Sequence, residues 1–116
     1  MVTKEELVSQ YRSLGVSPEK FIDLVRSLEV KVRVDLDKLY EELVIVDELL
    51  SRSDLDQVVQ ALASLPEGEN RKKYGFTAFI IKRGASRNHV EVSEALKGAS
   101  FATQLSLAKG AKELAL

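Results

Sequence analysis

Nine apolar residues, Phe21, Val25, Leu28, Val32, Leu36, Leu39, Leu43, Val46 and Leu50, recur at steps of three and four along the chain. That spacing averages about 3.6 residues, the period of an α-helix with one apolar face. A stripe of this length has to be buried against other elements, and helices are the natural partners. One unbroken helix over about residues 18–51 accounts for all nine positions and is the preferred reading. A rival lies inside it. Leu28, Val30, Val32, Val34 and Leu36 alternate with Glu29, Lys31, Arg33 and Asp35, and a period of two with β-branched residues reads as a half-buried strand.

The flanks carry helix punctuation. Thr3 and Glu6 form a capping box, so a short helix is expected to about Leu14 with Gly15 as its stop. Ser17 then stands as N-cap and Pro18 at the first helical position. Ser53 is placed to cap a further helix, reaching to about Ser64, with Leu55, Val58, Val59, Leu62 and Leu65 as its apolar face. Residues 66–70, Pro-Glu-Gly-Glu-Asn, read as a loop.

Residues 76–81, Phe-Thr-Ala-Phe-Ile-Ile, are aromatic and β-branched and predict a strand. Residues 82–88 contain Gly84 and small polar side chains and predict a turn. Residues 89–93 alternate and predict the return strand of a hairpin; the alternative is a helix capped by Asn88 with Glu91 at the box position. From Glu94 a helix is expected nearly to the end. Its apolar seam is Phe101, Leu105 and Ala108, and Gly98, Ala99, Ala102 and Gly110 make it thin. The expected fold is mainly α: a small helical bundle with a short β-hairpin near residues 76–93 and a C-terminal helix.

With 116 residues the chain is expected to form one domain over 1–116. Hydrophobic residues at 45% beside 30% charged residues fit a folded domain rather than a disordered one. The chain has no Cys, which excludes disulfides and thiolate chemistry and fits a reducing, cytoplasmic location. Its first residues do not follow the pattern of a signal peptide, and no apolar run approaches the roughly 20 residues of a membrane span. Two Asn, one Met and no Trp beside many charges resemble the bias of hyperthermophile proteins.

The net charge of −1 conceals a segregation. Residues 1–70 hold 8 Lys/Arg against 15 Asp/Glu, a net of −7, whereas residues 71–116 hold 9 against 3, a net of +6. The acidic helical part, 1–65, and the basic part, 71–116, are therefore expected to present fields of opposite sign. Arg71, Lys72, Lys73, Lys82, Arg83 and Arg87 lie within 17 residues that contain no acid. On a hairpin, Lys82, Arg83 and Arg87 fall at the tip and Arg71 to Lys73 near the base, where they can meet phosphates. Both faces of the expected strand are apolar, so Phe76 and Phe79 are assigned to the core. Tyr74 is then the residue left to stack on a base.

Catalysis finds few candidates. His89 is the only His, and without Cys no common metal-ligand cluster can form. Gly84-Ala85-Ser86 is not a phosphate-binding loop. The acidic pairs Asp35/Asp37, Glu41/Glu42, Asp47/Glu48 and Asp54/Asp56 could hold Mg²⁺, but at this density they read as a solvated face, with Lys38 and Glu42 as an ordinary surface pair. No enzyme activity, metal or cofactor is expected.

These features point to an interaction subunit of a larger nucleoprotein assembly. In size and helical make-up the chain resembles the small helical subunits of multi-subunit nucleoprotein complexes, such as those of archaeal CRISPR surveillance complexes; the resemblance is architectural and no motif carries it. The expected partners are other protein subunits or further copies of the chain on the acidic surface, and DNA, RNA or an acidic protein on Arg71, Lys72, Lys73, Tyr74, Lys82, Arg83 and Arg87. The alternatives are a protein-binding adaptor or homo-oligomeric scaffold and, ranked below it, a small transcriptional regulator.

Overall fold

A computed structural model describes residues 2–28 and 31–116. Among the described residues it contains seven α-helices, one π-helical turn and no strand. None of these helices is long and apolar enough to cross a membrane. The chain divides into two compact units, Met1–Val44 and Ile45–Leu116. The division falls within a helix, and the change of charge sign near residue 70 lies inside the second unit.

The first unit begins with α1 (Lys4–Leu14), which starts and stops as the sequence predicts, and α2 (Pro18–Ser27), which starts as predicted. The Glu6 N–H donates to Thr3 Oγ1 at 3.2 Å, and Gly15 closes α1 in the left-handed region at φ 66°. The Lys20 N–H donates to Ser17 Oγ at 3.2 Å, with Pro18 behind it. Leu7, Val8, Tyr11, Phe21, Ile22 and Val25 are buried, and the Tyr11 and Phe21 rings meet edge to face at 5.3 Å. Glu42, expected on the surface beside Lys38, is buried instead and pairs with Lys4 at 2.8 Å.

The unbroken helix over 18–51 does not form. α2 ends at Ser27, and α3 begins at Leu36 and runs to Leu50. Asp35 supplies the physical reason. Its Oδ1 accepts from the backbone N–H groups of Asp37 at 3.1 Å and Lys38 at 3.2 Å, which satisfies two free donors and fixes the N-terminus of α3 there. Leu28, one of the nine stripe residues, is exposed; Leu39, Leu43 and Val46 are fully buried. Of the rival strand over 28–36, Glu29 and Val30 lie outside the described residues, and Val32 makes one isolated parallel bridge to Val2.

The second unit holds the end of α3, α4 (Leu55–Ala63), the π-helical turn Arg71–Gly75, α5 (Phe76–Asn88), α6 (Val92–Lys97) and α7 (Phe101–Glu113). α4 buries Leu55, Val58, Val59 and Leu62 as expected. Its N-cap is Asp54 rather than Ser53, and the Asp54 carboxylate is held by Arg52, whose Nε and Nη2 donate to it at 2.8 Å each. This fork holds Asp54 below the usual carboxylate range. α4, α5 and α7 pack around Leu62, Ala78, Leu96 and Leu107, each fully buried. Enclosing a leucine of this kind is worth about 1.5–3 kcal/mol.

The predicted β-hairpin over 76–93 is not present: residues 76–88 are helix. Ala78, Ile81 and Ala85 form the buried face of α5, and the two alanines let it lie close to its neighbours. His89, in the left-handed region at φ 55°, ends the helix, and the Val90 N–H donates back to the Ala85 carbonyl at 3.0 Å. Asn88 therefore closes a helix rather than opening one. The single helix expected from Glu94 is also divided. α6 stops at Lys97, and Ser100 caps α7 by accepting from the Thr103 N–H at 3.3 Å. The buried Gln104 side chain donates to the carbonyls of Leu96 at 3.0 Å and Lys97 at 3.2 Å, which ties the end of α6 to α7; the Leu96 carbonyl also accepts from the Ala99 N–H at 3.1 Å.

Candidate nucleic-acid interface

The helix that replaces the hairpin reorganises the basic segment. Glu69 and Asn70 are already helical, and the Lys72 N–H donates to the Gly68 carbonyl at 3.0 Å. The turn then widens: the Phe76 N–H donates to the Arg71 carbonyl five residues back. Gly75 permits this. A Cβ there would fall 2.7 Å from Arg71 Cδ and 2.8 Å from the Leu62 carbonyl oxygen, so only glycine lets the segment lie against the end of α4.

At about 100° per residue, Phe76, Phe79, Ile80, Arg83 and Arg87 project on one side of α5, opposite Ala78, Ile81 and Ala85. Phe76 is 60% exposed, Phe79 46% and Ile80 51%. These are the side chains a helix normally buries. The assignment of Phe76 and Phe79 to the core is thus corrected. Tyr74 moves the other way: it is 7% exposed, its ring lies on Gly110 of α7, and its Oη donates to Glu113 Oε2 at 2.8 Å. The hydrogen bond to Glu113, burial and the glutamate charge together raise the phenol above its usual pKa of 10.0. Tyr74 is a packing residue and has no face free for a base.

The predicted cations fall into two groups. Lys72, Arg83 and Arg87 are exposed, and among the described residues none has an ion-pair partner. They stand around Phe76 and Phe79. Arg71 joins them from the π-helical turn, half-buried, with its Nη1 enclosed and lacking a hydrogen-bond partner. Lys82 is exposed on the flank, and its Nζ donates to Gln60 Oε1 of α4. Lys73 is exposed, its carbonyl accepts from Ser106 Oγ of α7 at 3.5 Å, and it is not among the residues lining the surface beside Phe76 and Phe79.

Two open grooves flank Phe79. Arg71, Lys72, Phe76 and Phe79 line one; Phe79, Lys82, Arg83 and Arg87 contribute to the other. Phe79 is the ridge they share. Residues 71–90 contain no acid, while residues 45–70 of the same unit carry Arg52 as their sole cation beside six acidic residues. The charge segregation is therefore built within one compact unit, and the aromatic patch lies on its positive side.

His89 is exposed at the end of α5, and among the described residues its imidazole has no hydrogen-bond partner. Among the described residues no group of three or more His, Asp or Glu side chains is arranged to hold a metal ion. Compared with known protein families, with curated proteins and with solved structures, the chain matches none.

Proposed function

We propose that the chain is a non-catalytic interaction subunit of a nucleoprotein assembly and that the exposed face of α5 is its nucleic-acid contact. One observation carries this reading: Phe76 and Phe79 stand in solvent among Lys72, Arg83 and Arg87, in a stretch without a carboxylate. A polyanion gains from every unpaired cation on this face, with release of counterions. An exposed ring gains from stacking on a base. Exposed acidic residues, Asp37 and Glu41 in the first unit and Glu48 and Asp56 in the second, are the positions on which other subunits dock in this reading.

The test is binding of labelled single- and double-stranded DNA and RNA at two salt concentrations. Wild-type protein is expected to bind with an affinity that falls steeply with salt. The variant carrying Arg83→Glu with Arg87→Glu is expected to lose that binding while keeping its helical circular dichroism. Absence of binding by the wild type at low salt would overturn the reading.

A second reading is favoured by Ile80. Phe76, Phe79 and Ile80 at i, i+3 and i+4 form an apolar stripe of the kind a partner helix covers, and the surrounding cations select an acidic one. An acidic protein, or the acidic part of another copy, would then take the place of nucleic acid.

A further inference from the structure

We infer that the nucleic acid taken by α5 is single-stranded and that Phe79 is its stacking residue; this rests on the nucleic-acid reading above. In a duplex, base faces are covered by their neighbours and only edges are offered in the grooves. Phenylalanine has no donor or acceptor with which to read an edge. Its ring gains from a nucleobase only when that base is unstacked, as in a single strand. On a duplex, Phe76, Phe79 and Ile80 would be pressed against phosphates and sugars.

The grooves support the same choice. Phe79 is shared by both, with Arg71 and Lys72 on one side and Lys82, Arg83 and Arg87 on the other. A strand crossing the ridge would place a base on Phe79 and backbone phosphates in the cationic grooves before and after it. Phe76 borders only the first groove and takes an adjacent base. Arg83 and Arg87 are one turn apart, about 6 Å along the helix, so both can follow one backbone.

The test uses the whole chain and fluorescence anisotropy with oligo(dT), oligo(rU), a duplex of equal length, an abasic oligomer of the same charge and poly-glutamate. The expected order is oligo(dT) and oligo(rU) bound well above the duplex, the abasic strand and poly-glutamate. Phe79→Ala and Phe79→Leu are each expected to weaken oligo(dT) binding by about fivefold or more and to leave the abasic strand unaffected, while Phe79→Trp restores affinity. Equal binding of duplex and single strand, insensitive to Phe79 but lost with Arg83→Glu/Arg87→Glu, would overturn the stacking inference and leave the nucleic-acid reading standing. Binding of poly-glutamate as tightly as oligo(dT), or no binding of any nucleic acid, would overturn both.

Discussion

The ring of Tyr74 lies directly on Gly110: a Cβ added at Gly110 would come within 2.7 Å of Tyr74 Cγ and 3.0 Å of its Cβ. These are the inner atoms of the tyrosine, which cannot swing aside without moving the π-helical turn that carries them. The contact fixes the turn against α7 and thereby sets where the following helix begins.

Gly110→Ala is accordingly expected to destabilise the protein by about 1–3 kcal/mol, although alanine is the better helix former by about 1 kcal/mol. Chemical denaturation of the two proteins measures this. A stabilised variant would mean that the Tyr74 ring is not packed there.

The hydroxyl of Tyr74 gives a pH signature. Its pKa is raised in the folded chain, so the folded state holds the phenolic proton more tightly than the unfolded state does. Its contribution is fully present below about pH 10 and is lost as pH rises through the raised value. Tyr74→Phe is expected to cost about 1 kcal/mol at neutral pH, since it keeps the ring and removes the bond to Glu113, and to flatten the fall in stability above pH 10. Denaturation midpoints across that range report both effects.

Gln104→Leu tests the junction between α6 and α7. It strips the carbonyls of Leu96 and Lys97 of a donor they share, and a cost of about 1–3 kcal/mol is expected. Hydrogen exchange should accelerate in α6 before the rest of the unit.

Gly84 separates the helix from the hairpin that the sequence predicts. It lies within α5, and a Cβ there would meet nothing within 4 Å. Gly84→Ala is therefore expected to stabilise the protein by up to about 1 kcal/mol. A turn glycine with positive φ would instead make the same substitution destabilising, and a thermal melt distinguishes the two.

The helix ends that rest on local chemistry were legible. Thr3 with Glu6, Gly15, and Ser17 with Pro18 need only their immediate neighbours to act, and the chain obeys them. The long apolar stripe misled because a helical period can continue through a break: Val32 and Leu36 keep the spacing, while Asp35, placed to cap a new helix, carries the interrupting signal. The basic segment misled for a different reason. Its strand signal rests on the large residues Phe76, Phe79 and Ile80, which turn out to face solvent. The packing signal is Tyr74, Ala78, Ile81 and Ala85, at spacings of four, three and four, and two of those are alanines whose small size makes the stripe faint. Read on that stripe, Tyr74 goes inside, the phenylalanines come out, and the cations gather around them. The exposure of Lys72, Arg83 and Arg87 is legible from charge alone, whereas that of Phe76 and Phe79 is not.

We propose the exposed face of α5 as the place where this chain meets its partner. Titration of isotope-labelled protein with oligo(dT), followed by backbone amide chemical shifts, tests it most directly. The largest changes are expected to cluster at Lys72, Phe76, Phe79, Ile80, Arg83 and Arg87, with little response in α2 and α3. Changes centred on α2 or α3, or a spectrum that does not respond, would contradict it.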